Sequence, residues 1–217
     1  MLIEVYSDVV CPWCYIGKRR LEAALSAAGI DDADVHWRAF QLNPDLPPEG
    51  VDRRQYLETK FGGPEGAARI HDRVREAGRN VGIDFRFEDI ARSPNTFDAH
   101  RLLRLAVLQS KQGELKENLL EAYFLKGRDL GDPRVLAEIA GETGITGDVR
   151  AWLDSDAEAE GVRQDIADAA RLQITGVPFF IFGGRYAIAG AQPTEIFAQA
   201  LDAARRLPER GGSQPIG

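Results

Sequence analysis

The only two cysteines of the 217 residues stand as Cys11-Pro12-Trp13-Cys14. Two cysteines do not make a disulfide framework. A random pair would take this spacing only about once in 110 placements, so the spacing itself is informative. The flanking residues constrain the fold. Residues 2 to 7 alternate, with Ile3 and Val5 on one face and Glu4 and Tyr6 on the other, which predicts a strand. Pro12 suits the first turn of a helix, where its missing N–H costs nothing. Leu21, Ala24, Leu25 and Ala28 keep helical spacing, with Gly29 as the stop. The cysteines therefore sit where a strand hands over to a helix N-terminus.

That position favours an anion, because the first N–H groups are free and the helix dipole is positive there. Only a thiolate attacks a disulfide. A thiol with a pKa near 8.5 is about 3% ionised at pH 7, and one lowered to ~6 is about 90% ionised. Cys11 is thus expected to be the nucleophile, with a lowered pKa. Cys14, one turn later, is placed to attack the mixed disulfide and release the substrate. Pro12 and Trp13 fill the intervening positions, and Trp13 offers an apolar, partly exposed patch beside the sulfur. Asp8, three residues before Cys11, is either a proton relay during Cys14 attack or a solvated turn residue. Lys18, Arg19 and Arg20 read as a solvated face that weakly favours the thiolate.

Residues 35 to 42 predict a second strand, and the Pro-rich stretch from Asn43 to Gly50 marks a boundary. From about Arg53 to Trp152 the pattern is helical with little strand signal. Tyr56 to Gly78 is broken at Gly62-Gly63-Pro64. Ser93-Pro94-Asn95-Thr96 reads as a cap before a helix over Phe97 to Gln112. Further helices follow over Glu114 to Leu125 and over Asp132 to Glu142, the latter capped by Asp132 with Pro133 behind it. Residues 155 to 173 predict another helix. Strand signal returns at Val177 to Phe182, a Gly183-Gly184 turn, and Arg185 to Ala189, which together predict a hairpin. Pro193 to Leu207 closes the chain as a helix, and residues 208–217 are expected to fray.

The order is thus β-α-β, a helical block, then α-β-β-α. With Cys11-Pro12-Trp13-Cys14 at the first helix start and Gly176-Val177-Pro178 before the hairpin, the sequence resembles thioredoxin-fold oxidoreductases of the DsbA-like superfamily. Ser7-Asp8, Cys11 to Lys18 and Gly190-Ala191-Gln192 resemble its FrnE-like branch. The resemblance implies an α/β thioredoxin fold with a large all-helical insertion. The thioredoxin-like domain would be discontinuous, residues 1–42 plus 155–207, and the insertion would span 43–154. It further implies that Pro178 is cis and faces the cysteines across a shallow groove, where the Val177 backbone pairs with an extended substrate. A redox-active Cys11–Cys14 disulfide would be the working group, with no cofactor required and with glutathione as reductant or ligand. Clients would be proteins or small thiols carrying disulfides or thiols. Ser93 to Thr96 resembles a segment that lines the cleft in relatives. A homodimer is compatible with the resemblance, and no residue demands one.

Other readings of the motif are weaker. Half of a zinc site would need ligands from His36, His71, His100 or carboxylates, and none of these histidines stands at ligand spacing. His36 and His100 read as structural or surface histidines, and no metal is expected. The same superfamily holds glutathione-dependent isomerases and transferases, similar to 2-hydroxychromene-2-carboxylate isomerases and kappa-class glutathione transferases. These typically carry Ser where this chain has Cys11 and lack a resolving cysteine. They also tend to have a polar–acidic pair where this chain reads Gly190-Ala191-Gln192. A redox-switch module and a biosynthetic tailoring role are further alternatives. Trp13 stands where the strongly oxidising DsbA enzymes carry His, so their oxidant character does not carry over. The net charge is 27 − 34 = −7, without a basic stripe, which disfavours nucleic acid and anionic membranes. No apolar run approaches the ~18 residues of a membrane span. No secretory signal opens the sequence, so a cytoplasmic address is expected.

Overall fold

Alternation at the N-terminus produces β1 (Leu2–Ser7), and the handover at Cys11 produces α1 (Pro12–Ala27). The computed structural model describes residues 1–206. β2 (Asp34–Ala39) runs parallel to β1, with Leu2 opposite Asp34 and Ser7 opposite Ala39. The hairpin strands β5 (Phe179–Phe182) and β6 (Tyr186–Ala189) complete one sheet in the order β2-β1-β5-β6, with β5 antiparallel to β1. One face of this sheet presents Ile3, Val5, Phe180 and Phe182. They pack on Leu21 and Ala24 of α1 and on Phe197 and Leu201 of the closing helix. The other face presents Tyr6, Phe179 and Ile181 toward Ala169 and Ile174.

Between β2 and β5 lie seven described α-helices: α2 (Arg53–Phe61), α3 (Pro64–Arg79), α4 (Phe97–Val107), α5 (Gln112–Lys126), α6 (Pro133–Glu142), α7 (Val149–Leu153) and α8 (Ala159–Arg171). The closing helix is α9 (Thr194–Arg205). The core of the helical block runs through Leu102, Leu119, Tyr123, Phe124 and Ile139, and it takes in Val9, Tyr15 and Ile16 from the cysteine segment. The motif thus lies on the seam between the sheet and the helices.

Several local expectations are corrected. The helical stretch holds a two-stranded sheet, β3 (Val51–Asp52) against β4 (Arg92–Ser93). Two-residue strands leave no periodicity to read. Ser93 therefore belongs to a strand, and Thr96 at the start of α4 makes no side-chain cap; Asn95 Oδ1 instead accepts from Phe97 N at 3.0 Å. The helix predicted over Phe97 to Gln112 ends at Val107. The chain reverses through Ser110 at φ 55°, and Gln112 opens α5. The helix expected over 155–173 begins only at Ala159. Leu207 and the tail over 208–217 lie outside the described residues.

Candidate active site

Cys11 is the N-cap of α1, in an extended conformation (φ −93°, ψ 112°), with Pro12 in the first turn. Cys14 N donates to Cys11 O at 3.0 Å, closing that turn and bringing both sulfurs to one side. Both cysteines are free thiols. Cys11 is 4% exposed and Cys14 fully buried, so a partner molecule can reach only Cys11. Cys11 Sγ lies 3.6 Å from Val177 O, and the Val177–Pro178 peptide bond is cis. A close approach holds this arrangement: a Cβ added at Gly17 would stand 3.0 Å from both Pro178 Cγ and Phe180 Cζ, so α1 packs here without a side chain. Trp13 is half-buried, with the Arg73 guanidinium over its ring at 5.9 Å.

Asp8 is fully buried, so the solvated-turn reading is excluded. Its Oδ2 accepts from Leu42 N at 2.8 Å and its Oδ1 faces His100 Nε2 at 3.3 Å. Burial pushes this carboxyl up, but His100 and the Leu42 N–H outweigh burial and hold it below the usual carboxylate value. His100 is itself 2% exposed and serves as the inner partner of Asp8; His36 is a surface residue paired with Asp34.

The sequence reading passed over Lys116. It is fully buried on α5, its Nζ has no hydrogen-bond partner among the described residues, and it lies 5.3 Å over the Trp37 ring. Burial lowers its pKa to about 8 despite the pull of Cys14, Asp8 and Cys11. The helical wheel held a signal: Lys116 shares its face with Leu119, Leu120 and Tyr123, all buried. Lys18 was also misread. It is 5% exposed and pairs with Glu22 and Glu117, while Arg19 pairs with Glu117 and Arg20 donates to Ala191 O.

The thiols titrate as a pair. The neighbouring Cys14 sulfur, together with burial, pushes the Cys11 thiol well up. Burial opposes ionisation of Cys14, but the Cys11 thiol, the Lys116 cation and the nearby Ser7 hydroxyl together bring it down. Of the two, the inner sulfur is therefore the one favoured to ionise first. The expected lowering at Cys11 itself is absent because the two sulfurs compete for one charge. Ser7 Oγ is buried without a standard hydrogen bond, close enough to Cys14 to favour its thiolate. Among the described residues, no group of three or more His, Cys, Asp or Glu could hold a metal ion, and no helix is long and apolar enough to cross a membrane.

A four-stranded sheet of this order, with a vicinal dithiol at the first helix start facing a cis-proline, defines a thioredoxin-fold dithiol protein. The chain belongs to the DSBA-like thioredoxin domain family, whose family model matches residues 2–202. It is similar to a probable DsbA oxidoreductase, SCO1869, from Streptomyces coelicolor: 36% identity, TM-score 0.89, covering 100% of this chain and 94% of that one. It is also 27% identical over 205 residues to the uncharacterized protein YwbO of Bacillus subtilis (strain 168), covering 92% of this chain and 94% of YwbO. The cytosolic disulfide reductase DsbM from Pseudomonas aeruginosa, solved with GSH, shares the fold at 18% identity and TM-score 0.63, covering 95% of this chain and 100% of DsbM.

Proposed function

We propose that the chain is a thiol–disulfide oxidoreductase, cycling between a Cys11/Cys14 dithiol and a Cys11–Cys14 disulfide on protein or small-molecule disulfides. One observation carries the reading: Cys11, the more accessible of the two cysteines, caps α1 with Sγ 3.6 Å from Val177 O, and Cys14 lies buried behind it. The singly ionised pair is the reacting form: as a disulfide approaches, the Cys11 proton passes to Cys14 and the charge moves outward. Cys11 attacks, one substrate thiolate leaves, and a mixed disulfide forms. Cys14 gives up its proton beside Lys116 and Asp8 and attacks Cys11 Sγ. The second thiolate then departs, with two electrons transferred in all. Pro12, Trp13, Val177 and Pro178 form the docking groove, and the Val177 backbone is available to an extended chain. In this reading the protein works in the cytoplasm, with glutathione or another small thiol as electron source; DsbM, which shares the fold, is a cytosolic disulfide reductase solved with GSH. No second subunit is needed.

Titration in glutathione buffers, with alkylation to count free thiols, tests the reading. We expect one two-electron transition between about −270 and −120 mV, the values of a reducing thioredoxin and an oxidising DsbA. Cys14→Ser should accumulate mixed disulfides and Cys11→Ser should not. Failure to form the intramolecular disulfide, with glutathione bound unoxidised, would replace this reading with a glutathione-dependent isomerase.

A further inference from the structure

Beside the motif, on the helical side, lies a cavity of about 120 Å³ that begins at Val10 and Pro12. Its walls are mostly apolar, and Leu42 and Ile70 stand half-exposed at its edge. The polar groups are unusual for an acidic chain. Arg53, Lys60, His71, Tyr56, Tyr123, Asn43 and Ser93 line it, and among the described residues no Asp or Glu does.

Arg53 is 9% exposed. Its one described side-chain hydrogen bond runs from Nη1 to Tyr123 Oη at 2.8 Å; its Nε–H is buried without a partner among the described residues, and its guanidinium lies against the Phe87 and Tyr123 rings. The other buried arginine shows the usual solution. Arg101, 4% exposed, donates to the Asp98 carboxylate and to the carbonyls of Ala157, Leu153 and Ser155. A guanidinium stays charged at any working pH, and a buried charge without a counter-charge is costly. Lys60, exposed at the rim, is held among the described residues by neutral oxygens, Asn43 Oδ1 at 3.1 Å and Tyr56 Oη at 2.8 Å. Most arginines elsewhere on the chain meet a carboxylate. Two cations in one cavity without an anion, over apolar walls, describe a site for a negatively charged group on an apolar body.

We propose that this cavity binds the carboxylate of a small apolar or aromatic acid through Arg53 and Lys60, and so selects carboxylate-bearing small-molecule disulfides for Cys11. The inference rests on the redox reading for its second half only. Pockets for drug-sized ligands measure about 300–1,000 Å³, so this smaller cavity suits a single ring-sized body. The step balances within the pair. The Cys11 thiolate bonds to one substrate sulfur and expels the other as a thiolate. Cys14 then bonds to Cys11 and expels the second. The dithiol is oxidised by two electrons, the substrate disulfide is reduced to two thiols, and the two protons pass to those thiols or to water.

Binding is tested on the reduced wild-type protein by calorimetry at fixed ionic strength, with 3-nitrobenzoate against its uncharged isostere 3-nitrobenzamide. The benzoate should bind at least about tenfold tighter, as a charge-assisted hydrogen bond predicts. Selectivity is tested by the ratio of rates with 5,5′-dithiobis(2-nitrobenzoate) and with neutral 4,4′-dithiodipyridine. Arg53→Gln should lower that ratio about tenfold or more, Lys60→Gln less, and Arg53→Lys should recover part of the loss. Equal binding of the two nitro compounds, or none, with both disulfides consumed would overturn the cavity proposal and leave the redox reading standing. If wild-type protein consumed neither disulfide, the redox reading would fall, and nitrobenzoate binding would still decide the cavity. The calorimetric comparison needs no substitution, so it holds even if Arg53→Gln does not fold.

Discussion

Lys116 shows how one residue can trade stability against reactivity. Its folded pKa, about 8, is below its ordinary 10.5, so folding disfavours the cation. The cost is fully present below pH 8 and is relieved as pH rises from about 8 to 10.5. Lys116→Met should therefore stabilise the reduced protein at pH 7, by on the order of 1–3 kcal/mol. The same cation helps Cys14 ionise. Its loss should move the alkylation profile of the dithiol to higher pH. It should also make the midpoint potential more negative, by about 30 mV for each unit the pair's apparent pKa rises. Denaturant melts and a redox titration of the same variant check both halves. A variant that is less stable and has an unchanged potential would show Lys116 to be mere packing. Sequence reading found the two sulfurs because their spacing is rare, and it found Asp8 by proximity. It passed over Lys116, and it read His100 as a structural or surface histidine without its tie to Asp8, because their partners lie about a hundred residues away, on helices whose packing no local pattern records.

Among the elements, α5 does more than fill the core. Its first residue, Gln112, accepts from Trp37 N and donates to Trp37 O, both at 3.0 Å. One side-chain amide thus takes the place of a neighbouring strand along β2. Nearby, Asp165 of α8 accepts from Ala39 N at 3.2 Å. Gln112→Ala strips Trp37 of both bonds and should cost about 1–3 kcal/mol. Gln112→Glu should cost nearly as much, since a carboxylate cannot donate to Trp37 O. Urea midpoints of the two variants check this; a neutral Gln112→Glu would mean that only the Trp37 N bond matters. The long elements were legible in the sequence because their signals are local: β1 by alternation, α1 by Pro12 and its apolar spacing, α6 by Asp132 and Pro133, the hairpin by Gly183-Gly184. The break at Ser110 and the β3–β4 pairing were not. The first interrupts a continuous apolar pattern by turning the chain, and the second joins residues forty apart through two-residue strands.

At the scale of the molecule, the sheet and the helical block are fastened by a charged seam. Glu117 of α5 receives Tyr15 Oη at 2.8 Å and pairs with Lys18 and Arg19, all three from α1. Burial raises the Glu117 carboxyl, but Lys18, Tyr15 and Arg19 outweigh it and bring it below its ordinary 4.5. A carboxyl lowered on folding contributes stability above its unfolded pKa and loses it as pH falls through the folded value. Acid should therefore weaken the protein below about pH 4.5, with buried Asp8 acting in the same direction. Glu117→Gln leaves Lys18 buried without this counter-charge, and we expect a loss of about 1–3 kcal/mol at pH 7 together with a flatter acid limb. Melting temperatures from pH 3 to 7 for both proteins decide it; parallel curves would show that the seam carries no linkage. The same whole-molecule view gives the Gln112 clip a wider meaning. With β2 clipped by side chains at Trp37 and Ala39, the β6 flank is, among the described residues, the open border of the main sheet. A molecule with one open border can join a single neighbour strand to strand, after which neither has a border left. Growth of that kind ends at a pair and cannot run on into a fibre.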